Sequence, residues 1–117
     1  MSEDTKTLKL TIPNKEYIEK ISSFNKFKDD IDIGRFAFAY ALKSNLDSEI
    51  ISFDEKTTGK WSTTADTNNE MYNIVKILHP EIEAPFQFVE NAINVGLNKF
   101  RIKFPDGNLN LRLLIDE

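Results

Sequence analysis

Few side chains among the 117 residues have types and spacings suited to chemistry. Carboxylates gather at Asp29-Asp30-Asp32 and at Asp54-Glu55. A metal-dependent nuclease needs carboxylates that converge on a cation, commonly with a lysine near the attacking water. Asp54-Glu55-Lys56 supplies those residue types without a diagnostic spacing. Helix-capping acids and a solvated loop account for both groups more simply. His79, the one histidine, stands beside Pro80. No serine or carboxylate lies at a recognisable motif spacing from it, so a general base is not indicated. A histidine favoured by the dipole at a helix C-terminus is the simpler reading. With one histidine and no cysteine, a zinc site is not expected. Gly34, Gly59, Gly96 and Gly107 are too far apart to form a phosphate-cradling loop. The expectation is therefore a non-enzymatic protein with no catalytic, metal or cofactor-binding residues.

Binding is the remaining kind of function. Trp61 lies in the polar stretch GKWSTTAD. An aromatic there can anchor a partner, since buried aromatics dominate interface energies, or it can plug the edge of the core. Net charge is −4. That opposes general nucleic-acid binding, whose affinity comes mostly from cations that neutralise phosphates. A small acidic inhibitor that mimics nucleic acid is a further alternative, although this charge is modest for one.

The elements that must position these residues follow from periodicity. Leu8, Leu10 and Ile12 alternate with Lys9 and Thr11, the pattern of a half-buried strand. Residues 1–7 are expected as a flexible tail, and 8–117 as one domain. Pro13 ends the strand, and Asn14 is expected to cap a helix running to Phe24 with Tyr17, Ile18 and Ile21 on one face. Asp29 or Asp30 would cap a second helix, whose apolar stripe is Ile33, Phe36, Ala37, Tyr40 and Ala41. Phe38, Ala39, Leu42 and Leu46 widen that stripe beyond the usual arc. A helix this apolar is expected to be buried on most sides, within the chain or against another subunit. Phe36, Phe38 and Tyr40 are thus candidate subunit contacts, beside Trp61.

Ile50–Phe53 reads as a short strand and Asp54–Thr64 as a loop. Asp66 or Thr67 would cap a third helix carrying Met71, Ile74, Val75 and Leu78, ended by His79-Pro80. Pro85 would open a fourth, with Phe86, Val89, Ala92, Ile93 and Leu97. Phe100, Ile102 and Phe104 alternate, Pro105-Asp106-Gly107-Asn108 has turn chemistry, and Leu109, Leu111, Leu113 and Ile115 alternate again. This predicts a C-terminal β-hairpin. The alternative is a fourth helix running on to Lys103. The fold expected is α+β: an N-terminal strand-helix-helix unit, two further helices and the hairpin.

The order strand, helix, apolar helix resembles a ribbon-helix-helix unit. That resemblance implies a homodimer in which two first strands pair and enter the DNA major groove. Thr7, Lys9 and Thr11 would then face the bases, and Lys26, Lys28 and Arg35 would flank the phosphate-facing end of the second helix. Asp29, Asp30 and Asp32 occupy that end, and carboxylates there repel phosphate. Direct DNA binding is accordingly the second reading.

Three phrases also resemble small accessory proteins encoded beside bacterial DNA phosphorothioation (Dnd) defence genes: FKDDIDIGRFAFAYAL (27–42), GKWSTTAD (59–66) and FQFVENAINVGL (86–97). That resemblance implies a bacterial, cytoplasmic accessory protein of a DNA modification or restriction system. It brings no catalytic residues. No signal region and no apolar run of membrane-spanning length is present, so secretion and membrane insertion are not expected.

Overall fold

The computed structural model of the chain describes residues 4–116. The order is β1 (Thr7–Leu10), α1 (Ile12–Ser22), α2 (Asp30–Lys43), α3 (Asp47–Ser52), β2 (Thr58–Ser62), α4 (Glu70–Leu78), α5 (Pro85–Lys103) and α6 (Leu111–Asp116). Single 3₁₀ turns, Thr63–Ala65 and Thr67–Asn69, join β2 to α4. Residues 1–3 and Glu117, the ends of the expected tail and domain, lie outside the described residues.

α5 is the hub. Its buried face carries Val89, Ala92, Ile93, Leu97 and Phe100, and α1, α2, α3, α4 and β1 all pack on it. The closest approach is to α2. A Cβ built on Gly96 would stand 2.2 Å from the Ala37 carbonyl oxygen. Only glycine lets the two backbones meet there. On another side of α2, a Cβ on Gly34 would stand 3.1 Å from the Trp61 ring. Thus α2 is covered from two directions by residues of its own chain.

The first strand departs from the ribbon-helix-helix expectation. β1 pairs antiparallel with β2, Leu8 opposite Trp61 and Leu10 opposite Thr58, with a bulge between Leu8 and Lys9. Its other edge is also occupied. The Lys9 N–H donates to Glu90 Oε1 at 2.7 Å, and the Thr11 N–H to Asn94 Oδ1 at 3.0 Å. Asn94 Nδ2 donates back to the Lys9 carbonyl at 3.0 Å. Both edges of the strand are therefore satisfied within the chain, and no edge is left for a symmetric mate. The strand starts at Thr7, and Asp4 caps α5 by accepting from the Phe86 and Gln87 N–H groups at 2.8 and 3.0 Å. Residues 4–7 are thus tied to the fold rather than forming a tail.

The C-terminal β-hairpin is the second correction. The alternating residues Phe100 and Ile102 continue α5, and the chain ends in α6. Phe100 is fully buried while Ile102 is 77% exposed, so the alternation does not match a strand face. The Tyr17 hydroxyl lies 3.0 Å from the Phe100 carbonyl and 2.5 Å from that of Phe104. It closes the end of α5 and raises the value of the helical alternative. The turn around Gly107, whose φ is +85°, joins helix to helix. Leu109 and Leu114 are buried, and Leu113 and Ile115 are exposed. Two smaller corrections concern the middle of the chain. Ile50–Ser52 belongs to α3, and the strand partner comes from Thr58–Ser62, inside the expected loop.

Caps explain the helix starts. Thr11, not Asn14, caps α1, its Oγ1 accepting from the Asn14 N–H at 3.2 Å. Asp66 caps α4, accepting from the Met71 and Tyr72 N–H groups at 3.0 Å each.

Candidate functional site

α4 has an apolar face wider than its seat on α5. Met71 and Val75 are buried, whereas Ile74, Ile77 and Leu78 are 41%, 77% and 56% exposed. Their i, i+3, i+4 spacing puts them in one patch beside the buried pair. Asp66 fixes the start of the helix, as described. At its end, His79 stacks near Phe88, ring centres 5.1 Å apart. His79 Nε2 lies 3.4 Å from Asp47 Oδ2, and Nδ1 lies 3.8 Å from Glu81 Oε2. His79 thus joins the end of α4 to the start of α3. A rigid helix presenting aliphatic side chains to water is suited to docking another apolar face.

The partner contacts expected from sequence lie elsewhere and are largely covered. Phe38 is buried. Phe36 sits between Phe27 and Phe100, with ring centres at 5.8 and 5.6 Å. The Tyr40 ring meets Phe100 edge-on at 5.1 Å, and its hydroxyl accepts from Lys103 Nζ at 3.0 Å. Phe36, Ala39 and Tyr40 line a small apolar cavity of about 230 Å³ closed on its far side by Leu114 and Ile115 of α6. Lys43 at its rim donates to the carbonyls of Leu114 and Ile115. Trp61 is half-buried, held between Gly34 and the ribbon.

The residues named for DNA differ in exposure and in what they hold. Thr11 is buried as a helix cap, and only Lys9 of the strand trio is well exposed. Lys26 donates to Asn108 Oδ1 and the Leu109 carbonyl at 2.7 and 2.6 Å, bracing the turn before α6. Arg35 pairs with Asp32 at 2.9 Å and donates to the Ala65 carbonyl at 3.0 Å. Lys28 is exposed. The aspartates at the head of α2 are similarly engaged. Asp32 also accepts from the Asp29 N–H at 3.2 Å, and Asp30 accepts from Ser22 Oγ at 2.9 Å and pairs with Lys60 at 3.2 Å.

Asp54 and Glu55 line an open cleft of about 370 Å³ with Glu49, Asn98 and Lys99. Glu49 pairs with Lys99 at 3.0 Å, and Glu55 accepts from Asn98 Nδ2 at 3.1 Å. No group of three or more His, Asp or Glu residues among the described residues is placed to hold a metal ion. Among the described residues, no helix is long and apolar enough to cross a membrane.

A polar seam, not foreseen from sequence, holds β1 and α1 to α5. Asn14 Nδ2 donates to Asn94 Oδ1 and Asn98 Oδ1 at 3.0 and 3.1 Å, and Asn14 Oδ1 accepts from Arg101 Nε at 2.9 Å. Glu90 accepts from Gln87 Nε2 at 2.7 Å as well as from Lys9. Burial pushes the Glu90 carboxyl above its ordinary range, against the lowering effect of these donors. The available signal was Glu90, Asn94 and Asn98 recurring every fourth residue beside the apolar stripe of α5. These groups satisfy one another and make the seam structural. Comparison of the chain with protein-family models, curated proteins and solved structures finds no match.

Proposed function

We propose that the protein is a non-enzymatic interaction protein that binds another protein through the exposed face of α4. The observation that carries this is the patch Ile74, Ile77 and Leu78, apolar and wet on a helix whose start is fixed by Asp66. A role as an accessory factor of a bacterial DNA modification or defence system, in the cytoplasm, rests on the resemblance in residues 27–42, 59–66 and 86–97. Those phrases fall on α2, on β2 with the turn that follows, and on α5, which pack together around Gly34, Trp61, Ala37 and Gly96.

The two features that favoured a homodimer, the lone strand and the broad apolar α2, are both satisfied inside the chain. A homo-oligomer would accordingly use α4. The experiment is co-expression with the products of neighbouring genes, followed by light scattering. The wild-type chain is expected in a complex that Ile74→Ser/Ile77→Ser dissolves while the variant still melts cooperatively, a few degrees lower. Identical association of the two proteins would sink the proposal.

A further inference from the structure

α5 and Trp61 cover α2 at Ala37 and at Gly34. A further stripe of the helix, Phe36, Ala39, Tyr40 and Lys43, follows i, i+3, i+4, i+7 spacing. α6 lies over this stripe without filling the space beside it. The groove between them has a volume of about 230 Å³ and is lined by those four residues with Leu114 and Ile115. Its aromatic wall is fixed, because Tyr40 meets Phe100 edge-on and its hydroxyl accepts from Lys103 Nζ. Ala39, small and exposed, leaves the hollow open to solvent. Lys43 stands at the rim, and its Nζ donates to the Leu114 and Ile115 carbonyls. These acceptors are neutral, and they take two of the three N–H groups of an ammonium. Among the described residues no carboxylate pairs with Lys43. Asp116, next after Ile115, pairs with Arg112 at 3.9 Å.

We propose that this groove is a binding site for a small organic acid, a monocarboxylate with an apolar body. The body would lie against the Phe36 and Tyr40 rings, Leu114 and Ile115, and the carboxylate would take the remaining N–H of Lys43. An apolar pocket with few placed polar groups is the usual form of a small-molecule site. Charge chooses the head group, because a cation at the rim attracts an anion and repels an amine. Size limits the body. A cavity of about 150 Å³ holds benzene, and drug-sized ligands occupy about 300 Å³ or more. At about 230 Å³ the groove suits one ring with a short tail. None of its lining residues belongs to α4, so this site goes beyond the docking face and is tested apart from it.

The probes are phenylpropionate, the neutral phenylpropanol and the cationic phenylpropylamine. Each is titrated into the full chain at neutral pH while amide NMR shifts are followed. Phenylpropionate is expected to bind with a dissociation constant on the order of 1 mM, shifting amides of α2 and α6. The alcohol is expected to bind about two- to fivefold more weakly, and the amine more weakly still. Lys43→Met keeps the apolar stem and is expected to make acid and alcohol equal, whereas Lys43→Arg keeps the preference for the acid. Ala39→Leu fills the hollow from an exposed position and is expected to abolish binding of every probe while the chain still melts cooperatively. Equal binding of acid, alcohol and amine to the wild type overturns the organic acid. A preference for the acid that survives Lys43→Met overturns Lys43 as the group that recognises it. Shifts centred outside α2 and α6, or binding that survives Ala39→Leu, overturn the groove. So does the lack of any saturable shift well above that constant.

Discussion

Replacing Gly96 by alanine tests the central contact of the fold. In an isolated helix the change is favourable, by about 1 kcal/mol, because alanine restricts the unfolded chain and favours helix. Here the new methyl would lie 2.2 Å from the Ala37 oxygen, 2.8 Å from its carbonyl carbon and 3.0 Å from its Cα. All three are backbone atoms, so no side chain can rotate away. α2 and α5 must separate, which loosens Ile33, Ala37 and Ala41 against Ile93 and Leu97. Overpacking of this kind costs about 1–3 kcal/mol, and a backbone clash belongs at the upper end. The net expectation is a loss of about 2 kcal/mol after the propensity gain. For a chain of this length that lowers Tm by about 8 °C. Gly59→Ala is the control, since its Cβ would meet only the Thr7 methyl, at 3.2 Å, and its Tm should change little. The assay is thermal unfolding followed by circular dichroism. A rise in Tm for Gly96→Ala, as propensity alone would give, would refute the close packing of α2 on α5.

Burial raises the folded-state pKa of Glu90, so its neutral form favours the fold. That contribution is full below the ordinary glutamate range and is lost as pH rises through the raised value. The stability of Glu90→Gln relative to wild type should therefore grow from pH 4 towards neutrality in urea unfolding (the Gln87 amide must turn to accept); a constant difference contradicts it. Asn14→Ala strands the Arg101 Nε donor and removes one of the two donors to each of Asn94 Oδ1 and Asn98 Oδ1, and should cost about 1–2 kcal/mol by chemical denaturation. A cost near zero would mean that water replaces the seam. Trp61→Ala should lower stability by about 2 kcal/mol, below the roughly 3–5 kcal/mol of a fully buried aromatic because the ring is half-exposed, and leave binding of the α4 partner intact. A fully stable variant that no longer binds would return Trp61 to the interface.

The helix starts were legible where a local rule governs them. Asp66 caps α4 and Pro85 opens α5 because first-turn N–H groups need acceptors and a first-turn proline gives up nothing. The C-terminus was not legible. Phe100, Ile102 and Phe104 fit period two, but Phe100 also continues the i+3, i+4 series from Ile93 and Leu97. What selects helix is Tyr17, far away in sequence, which closes the carbonyl end. β2 was hidden for a related reason. TGKWS has no apolar alternation, and it becomes a strand because β1 needs an edge partner. The candidate face was half visible. Ile74 and Leu78 belong to the apolar series of the third helix in sequence, and apolar spacing alone does not say whether the chain has a surface left to cover them.

α2 and α4 carry the same signal, an apolar arc too wide for one neighbour, and meet different fates. α2 is met by α5 at Gly96, by Trp61 at Gly34 and by α6 near Tyr40. α4 has α5 as its main helical neighbour, and its surplus stays wet. Covering the exposed parts of Ile74, Ile77 and Leu78 would yield about 3–5 kcal/mol, taking about 1.5–3 kcal/mol for each fully buried side chain. Association costs at least about 4 kcal/mol before any gain appears. A matching aliphatic set on the partner brings the total to about 6–10 kcal/mol, inside the range of the association cost, so the patch alone supports at most a weak complex. A partner that is already helical loses less order on docking. The complex this favours is weak, made by a surface that recognises a partner without holding it permanently.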